Sequence, residues 1–233
     1  MSTVGVIGGL GPMATVYFLE LLTKMTDAAK DQEHLRVYMA SIPDTPDRTA
    51  YILGESDENP MSCLVEAGNK LVQMGADFIA IPCVTAQYFH QELESALSVP
   101  VISLCEELAM HLAHEGVKKV GVLATNGTIK SRLMQNCLEE KGIEVCIPGP
   151  DDQDTVMQII YQQIKKGLPP DVEAFEKIGQ KLKADGAGKL ILGCTELSLI
   201  KKDYGLNKDY LDVMEVLAAA VIVKAGRKPQ NIS

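Results

Sequence analysis

Several features that mark other classes of protein are missing from this chain of 233 residues. No run of lysine and arginine could neutralise nucleic-acid phosphates, and the net charge is -9, so we expect no nucleic-acid partner. No stretch reaches the ~18 consecutive apolar residues of a membrane span. The first residues, Met-Ser-Thr, lead into a short apolar run without the charged segment of a signal peptide. These absences predict a soluble, cytoplasmic protein with no membrane partner.

The six cysteines lack CxxC spacing, and a chain of this size does not need disulfides for stability, so we expect reduced thiols. Cys105, Cys137 and Cys146 lie in apolar helix or strand patterns, where cysteine behaves as a small hydrophobic residue. His111 and His114 are three residues apart on a predicted helix, without a third ligand at suitable spacing. No metal site is therefore predicted.

The chain does contain an internal repeat. Residues 70–83 read KLVQMGADFIAIPC and residues 181–194 read KLKADGAGKLILGC, with lysine, leucine, glycine, alanine and cysteine at a constant offset of 111. Two further pairs of similar segments are 4–15 with 120–131, at an offset of 116, and 101–109 with 210–218, at an offset of 109. A repeat of about half the chain predicts two similar lobes related by a pseudo-dyad. Cys83 and Cys194 would then face each other across one cleft.

Short apolar runs alternate with amphipathic stretches along the chain. The predicted strands are 3–7, 35–41, 78–81, 100–104, 119–124, 144–147, 189–192 and 210–213. After the first strand, Ala14, Phe18, Leu21 and Met25 follow the spacing of a helix that packs on a core. Continuously apolar strands alternating with helices predict parallel sheets covered on both faces, which is an α/β fold.

We predict two similar three-layer lobes, each with a mainly four-stranded parallel sheet. The first would comprise residues 1–98 and 210–233, and the second residues 99–209. No linker of proline, glycine or serine marks a boundary, so the repeat alone sets this division. The chain would cross between the lobes near residues 98–100 and 207–210, and the last helix, 214–224, would return to the first lobe.

Cys83 and Cys194 each follow an apolar strand and precede a predicted helix, which is where reactive groups gather in parallel α/β sheets. A helix N-terminus favours the thiolate, whereas the nearby Glu196 would oppose ionisation of Cys194. For either cysteine alone, a buried structural role is the commoner case. Two opposed thiols, however, suit removal of a proton from one face of a carbon and return of a proton to the other face. The pair therefore predicts racemisation.

Several motifs resemble those of the cofactor-independent aspartate/glutamate racemases. They are 8–15 (GGLGPMAT), 43–49, 82–86 (PCVTA), 127–131 (GTIKS), 164–165 (IK) and 193–197 (GCTEL). The resemblance covers essentially the whole chain. It implies two α/β lobes with the active site between them, a homodimer, an amino-acid substrate, and no pyridoxal phosphate or other cofactor.

The resemblance also implies roles for individual residues, beginning with Cys83 and Cys194 as the acid/base pair. The residues that it places at the substrate are Met13, Arg48, Thr85, Thr128, Lys165, Thr195 and Glu196. The three threonines, with neighbouring backbone amides, would hold the α-carboxylate and the amino group. The arginine and the lysine would receive a side-chain carboxylate. The expected activity is racemisation of aspartate or glutamate.

Two positions depart from the family pattern. Members usually read Pro-Cys-Asn-Thr-Ala-His where this chain reads Pro-Cys-Val-Thr-Ala-Gln. Val84 therefore replaces an amide that would touch the substrate, and Gln87 replaces an imidazole that could tune the thiol of Cys83. Both departures bear on which amino acid is the substrate.

Other functions remain open at this point. The segment 9–14 fits the GxGxxA pattern of a dinucleotide-binding turn, but no acidic residue closes the second predicted strand to bind a ribose. A two-lobed binding or sensor protein would bind a small molecule without turnover and would tolerate alanine at either cysteine. A related isomerase acting on another carboxylate would use the same scaffold.

Overall fold

Two parallel β-sheets organise the chain, whose computed structural model describes residues 2–230. The strands are β1 (Val4–Gly8), β2 (Val37–Ser41), β3 (Phe78–Ala80), β4 (Lys119–Leu123), β5 (Glu144–Cys146), β6 (Lys189–Leu192) and β7 (Tyr210–Asp212). The first sheet has the order β2-β1-β3, and the second has the order β5-β4-β6-β7. All of these pairs are parallel. The predicted α/β class is confirmed.

Helices connect the strands and cover the sheets. The α-helices are α1 (Pro12–Met25), α2 (Arg48–Leu53), α3 (Met61–Gln73), α4 (His90–Ala96), α5 (Leu104–His114), α6 (Asn126–Ser131), α7 (Leu133–Glu139), α8 (Pro150–Gln158), α9 (Val172–Ala184), α10 (Thr195–Tyr204) and α11 (Val213–Lys224). Among residues 2–230, no helix combines the length and the hydropathy that crossing a bilayer requires.

The strand predicted at 100–104 does not form. Only Val101 pairs with Ile79, as an isolated parallel bridge, and Leu104 already begins α5. The physical reason is local, because Ser103 accepts a hydrogen bond from the Glu106 amide and so caps the helix. The first sheet therefore has three strands, where a fourth was predicted.

The largest hydrophobic core lies between the two sheets. It includes Val4 and Val6 from β1 and Val120 and Val122 from β4, all with no exposed surface. The helices in this layer are α1, α5, α7 and α11, and α11 contacts both α1 and α5. Burial of each large apolar side chain contributes roughly 1.5–3 kcal/mol, so this shared layer holds the two sheets together.

Helix α11 packs against α1, which belongs to the first half of the chain. The strand before it, β7, belongs to the second sheet. Residues 210–212 form β7 and pair with β6, although the expected boundary counted them with the first lobe. The division into lobes 1–98 plus 210–233 and 99–209 remains a prediction.

Candidate active site

Both repeat cysteines line one narrow cavity, whose volume is about 20 Å³. Cys83 comes three residues after the end of β3, and Cys194 comes two residues after the end of β6. The carboxyl ends of parallel strands are where this architecture places binding groups. The exposed fractions of the two residues are 5% and 6%, so neither is more accessible than the other.

The cavity also contains most of the other predicted site residues. Those that line it are Arg48, Thr85, Lys165, Thr195 and Glu196. Thr128 lies directly behind this lining, because its hydroxyl is 3.2 Å from the hydroxyl of Thr85. Met13 is 64% exposed and lines a second space, which shares Arg48, Lys165 and Glu196 with the first. The sequence-predicted residues therefore form one connected site.

Cys194 has a carboxylate as its nearest polar neighbour. Its Sγ atom donates a hydrogen bond to Glu196 Oε2 at 2.9 Å, and Glu196 Oε1 lies 2.9 Å from Lys165 Nζ. Burial, followed by the charge of Glu196, raises the pKa of Cys194 well above its ordinary value, while Lys165 opposes this shift. The arrangement therefore favours the thiol form of Cys194.

Cys83 has a cation as its neighbour. Burial opposes the charge of Arg48, but the adjacent Cys83 sulfur and then Asp47 favour it, so that the pKa of Arg48 lies above its ordinary value. Arg48 is 8% exposed, and its Nη atoms donate to three backbone carbonyls, those of Leu10, Thr45 and Pro46, at 3.0–3.2 Å. Its Nε atom has no hydrogen-bond partner among the described residues. The positive charge of Arg48 therefore lies beside the sulfur of Cys83.

An irregular helical segment positions Lys165. After α8, the chain makes a wide π turn at Ile159–Gln163 and a 3-10 turn at Ile164–Lys166. Such π turns are frequent at functional sites. The Lys165 Nζ atom lies 5.3 Å from the centre of the Tyr161 ring, one helical turn earlier. Burial opposes the charge of Lys165, but Glu196 and then Cys194 outweigh it and raise the pKa of the amine. Lys165 is therefore a charged lysine at neutral pH.

Tyr161 adds a neutral phenol to the cavity. Burial raises the pKa of Tyr161 to about 12. Its hydroxyl donates to Asp47 Oδ2 at 3.4 Å, while Asp47 Oδ1 caps α2 by accepting from the Ala50 amide at 2.8 Å. The same capped helix begins with Arg48, so the cap fixes the position of the guanidinium.

Threonine hydroxyls form a cluster at one side of the cavity. The hydroxyls of Thr85, Thr125 and Thr128 lie 3.2 Å from one another, and the hydroxyl of Thr49 lies 3.3 Å from that of Thr125. All four residues are at most 8% exposed. Each hydroxyl can both donate and accept, so the cluster can turn its donors toward a carboxylate.

The loop between β1 and α1 passes over Glu196. Gly9 has a φ of +87°, and a Cβ atom there would lie 2.4 Å from the backbone nitrogen of Ile42. A Cβ atom on Gly11 would lie 2.8 Å from Glu196 Oε1. The glycines of the 8–15 motif therefore permit a turn and a close approach that other residues would block.

The two departures from the family pattern have different surroundings. Val84 is 3% exposed and lines the cavity beside Cys83. Gln87 is 2% exposed and bonds to backbone, accepting from the Leu104 amide at 3.0 Å and donating to the Ile81 carbonyl at 3.5 Å. Gln87 therefore joins the turn after Cys83 to the start of α5.

The cysteines and histidines outside this cavity have ordinary surroundings in the part of the chain that the structure describes. All six cysteines are unpaired, and burial raises the pKa of Cys105 to about 12, so that it stays a thiol. His111 lies 3.5 Å from Glu115 on the surface of α5. Within residues 2–230, no three side chains of histidine, cysteine, aspartate or glutamate are grouped as metal ligands would be.

Sequence analysis missed five residues of the cavity lining, namely Leu10, Asp47, Thr49, Thr125 and Tyr161. Thr125 directly follows the predicted strand at 119–124, and this position at the carboxyl end of a parallel strand could have indicated a site residue. Tyr161 lies four residues before Lys165, which is the spacing of neighbours on a helix face. The other three lie within the motifs 8–15 and 43–49, but no role at the site was assigned to them.

Comparisons with known proteins place these observations in a family. The family model described as Asp/Glu/Hydantoin racemase matches residues 7–221. The broad specificity amino-acid racemase RacX of Bacillus subtilis (strain 168) is 31% identical over 94% of this chain and 96% of its own length. The solved structure of the Picrophilus torridus aspartate racemase is similar with a TM-score of 0.86 and 32% identity, over 99% of this chain and 96% of that one. A glutamate racemase of Shewanella loihica is 26% identical over 72% of this chain and 65% of its own length.

Proposed function

Because the chain belongs to the Asp/Glu/hydantoin racemase family and is an amino-acid racemase, we propose that it works without pyridoxal phosphate, by proton transfer between Cys83 and Cys194. The observation that carries this proposal is that the two repeat cysteines line one cavity at equal burial. Two thiols with one substrate carbon between them can act as base and acid in turn.

The surroundings of the two sulfurs support a definite resting state. The hydrogen bond to Glu196 keeps Cys194 as a thiol, so we assign the role of first base to Cys83, whose neighbour is the cation of Arg48. In one direction, the Cys83 thiolate removes the α-proton and the Cys194 thiol gives a proton to the opposite face. The enzyme then holds a Cys83 thiol and a Cys194 thiolate. The opposite reaction, or proton exchange with water, restores the starting form.

Loss of the α-proton places negative charge on the substrate carboxylate, and the site offers donors for it. The hydroxyls of Thr85, Thr125 and Thr128 form one group of donors at the side of the cavity. The backbone amides at the start of α10, next to Cys194, supply further donors and a favourable helix dipole. Thr195 is the first residue of that helix. We assign these groups to the substrate carboxylate.

We propose aspartate or glutamate as the substrate, because Arg48 and Lys165, which the resemblance assigns to a side-chain carboxylate, both line the cavity. We also propose a homodimer, on the resemblance alone, and a cytoplasmic location, on the features of the sequence that predicted it.

The direct test is hydrogen exchange at Cα in deuterated water, with no cofactor added. The purified protein should exchange the α-hydrogen of its substrate and bring both enantiomers to equal amounts, as followed by NMR and chiral chromatography. Cys83→Ala and Cys194→Ala should each abolish racemisation, whereas Cys105→Ala, a buried cysteine outside the cavity, should retain it. Binding without exchange across a panel of amino acids would contradict the proposal and favour a binding protein.

A further inference from the structure

Each cysteine of the cavity is followed, four residues later, by a buried polar side chain. Gln87 follows Cys83 and is 2% exposed, while Ser198 follows Cys194 and has no exposed surface. The two positions are equivalent in the repeat, at the same offset of 111 residues as the cysteines. A buried polar group is costly unless it is hydrogen-bonded, so each side chain must find partners inside the protein.

Gln87 connects the turn at Cys83 to the start of α5. Its Oε1 atom accepts a hydrogen bond from the amide of Leu104, the first residue of α5, at 3.0 Å. Its Nε2 atom donates to the Ile81 carbonyl at 3.5 Å, and the same carbonyl accepts from the Cys83 amide at 2.8 Å. The side chain therefore holds the backbone turn that presents Cys83, and it satisfies an amide that the helix itself leaves unpaired.

Ser198 makes the corresponding connection in the second half. It lies in the first turn of α10, and its hydroxyl donates to Asp212 Oδ1 at 2.6 Å. Asp212 is the N-cap residue of α11, since the same oxygen accepts from the Met214 amide at 2.8 Å. The N-cap residue of α5 is Ser103, which is equivalent to Asp212 at an offset of 109. Both connections therefore end at the start of equivalent helices.

The two helices that these hydrogen bonds reach also pack against each other. α5 and α11 are in contact within the layer of helices between the sheets. The segments that carry the two cysteines are thus tied to one common pair of helices. An acid and a base that act on opposite faces of one carbon must be held in place closely, because a displacement of about 1 Å can lower a rate by ~10²-fold.

We infer that Gln87 and Ser198 are a matched pair of positioning residues, each of which holds the cysteine of its own half by tying it to the start of α5 or α11. Neither side chain lines the cavity, so each acts through the cysteine that it follows. The inference rests on the proposed roles of Cys83 and Cys194. Loss of one connection should loosen only the cysteine in the same half.

The first test does not require turnover. Gln87→Met keeps a side chain of similar size and loses both hydrogen bonds, while Ser198→Ala loses the hydroxyl. Because both cysteines are buried, local loosening should raise the rate of alkylation by iodoacetamide, as followed by peptide mass spectrometry. In Gln87→Met, Cys83 alone should react roughly threefold faster or more. In Ser198→Ala, Cys194 alone should show that increase. Equal changes at both cysteines, or no change in either variant, would overturn the inference.

Two control variants lose a hydrogen bond elsewhere. His90 Nε2 lies 3.0 Å from the Val101 carbonyl and joins α4 to the segment before α5, as Gln87 joins its turn to α5. His90→Leu should leave both alkylation rates unchanged. Thr26→Val removes a buried hydroxyl at the end of α1, which donates to a backbone carbonyl at 2.6 Å, and should also leave them unchanged. A similar increase in either control would show general loosening and would overturn the inference.

Variants of Asp212 test the second connection from its other end. Asp212→Asn keeps an oxygen that can accept from Ser198, so it should retain the alkylation rates of the unmodified protein. Asp212→Ala removes that oxygen and should reproduce the faster reaction of Cys194 in Ser198→Ala. A faster reaction in Asp212→Asn, or none in Asp212→Ala, would contradict the assigned connection.

Turnover gives a second readout, in which the two variants should differ. A displaced cysteine transfers protons poorly on its own face of the substrate, so Gln87→Met and Ser198→Ala should each lower kcat roughly tenfold with little change in KM. In deuterated water, the ratio of α-hydrogen exchange to inversion should rise for one enantiomer in Gln87→Met and for the other in Ser198→Ala. A rise for the same enantiomer in both would overturn the inference. No turnover by the unmodified protein would instead contradict the racemase proposal, while the alkylation rates would still decide whether each residue holds its own cysteine.

Discussion

Cys83 and Cys194 occupy equivalent places in the two halves of the repeat, yet their neighbours have opposite charges. Cys83 lies beside the guanidinium of Arg48, whereas Cys194 donates to the carboxylate of Glu196. The position equivalent to Glu196 in the first half is Thr85, at the same offset of 111 residues as the cysteines. The repeat provides two matched sulfur positions, and differences between the halves give them neighbours of opposite charge.

The local backbone differs as well. Cys194 directly precedes α10, a helix of ten residues, while Cys83 is followed by a 3-10 segment at Thr85–Phe89 before the short helix α4. A longer α-helix directs more aligned peptide dipoles toward its N-terminus, which by itself would favour an anion at Cys194. Because Glu196 places a negative charge at that helix start, the charge and the dipole have opposite effects on ionisation of Cys194.

Replacing each cysteine by serine tests the comparison most severely. A serine hydroxyl is a far weaker acid than a thiol, so either variant should lower racemisation on the order of 10²–10⁴ fold, the usual contribution of a general acid or base. Cys194→Ser keeps the Cys83 thiolate and should still exchange the α-hydrogen of one enantiomer. Cys83→Ser should lose exchange of that enantiomer, because Cys194 starts as a thiol. NMR of each pure enantiomer in deuterated water measures this, and equal behaviour of the two variants would contradict the assigned resting state.

A second pair of equivalent residues, Ser103 and Asp212, caps α5 and α11 at an offset of 109. Asp212 is fully buried, accepts from Ser198 at 2.6 Å and from the Met214 amide at 2.8 Å, and so lies beneath the helix that follows Cys194. Burial is the main cause that raises the pKa of Asp212 to about 6, and the charge of Glu215 adds to it. The hydrogen bond from Ser198 opposes this shift. The native state therefore keeps a proton that the unfolded chain releases near pH 4.

Asp212→Asn should remove the resulting pH dependence. As the pH rises from about 4 through about 6, the cost of ionising Asp212 lowers the free energy of unfolding by about 3 kcal/mol. This loss persists at higher pH. Asparagine retains the cap but does not ionise, so the variant should gain about 3 kcal/mol relative to the unmodified protein between pH 4 and pH 7. Urea unfolding at both pH values measures the change, with Asp209→Asn at the surface as the control. If the free energies of unfolding of Asp212→Asn and the unmodified protein differed by the same amount at both pH values, the raised pKa of Asp212 would be contradicted.

The smallest effect concerns the rates at which the two thiols react with iodoacetamide. Since the cysteines are equally buried, a difference in rate reports ionisation and not access. Cys83 should react roughly tenfold faster than Cys194 near neutral pH, and Glu196→Gln should narrow this gap because the pKa of Cys194 falls. Peptide mass spectrometry follows both sites. The matched control is Glu20→Gln, which removes a surface ion pair to Lys202 and should leave both rates unchanged. Faster reaction at Cys194 in the unmodified protein would reverse the comparison.

Much of this architecture could be predicted from the sequence, because apolar periodicity and the repeat both depend on spacing along the chain. Seven of the eight predicted strands form, and the exception, at 100–104, fails because Ser103 caps α5 one residue before the segment ends. The repeat also predicted that Cys83 and Cys194 share a cleft, and the structure places both at one cavity.

The partners of the charged residues could not be predicted in the same way. The pairing of Lys165 with Glu196 depends on a π turn that brings two distant segments together, and no local pattern encodes it. The contacts of Arg48 with the carbonyls of Leu10, Thr45 and Pro46 depend on loop conformation. Sequence therefore indicated which residues meet at the site, while the three-dimensional fold decides which charges remain available to a substrate.

The layer of helices between the two sheets has a consequence for how such a molecule can be divided. Valines of β1 and β4 bury their side chains in the same layer, which α11 completes from the far end of the chain. Cutting the polypeptide at the repeat boundary would leave each fragment with a water-exposed sheet face and without a helix that it needs. The duplicated halves therefore depend on each other for the burial of this shared layer.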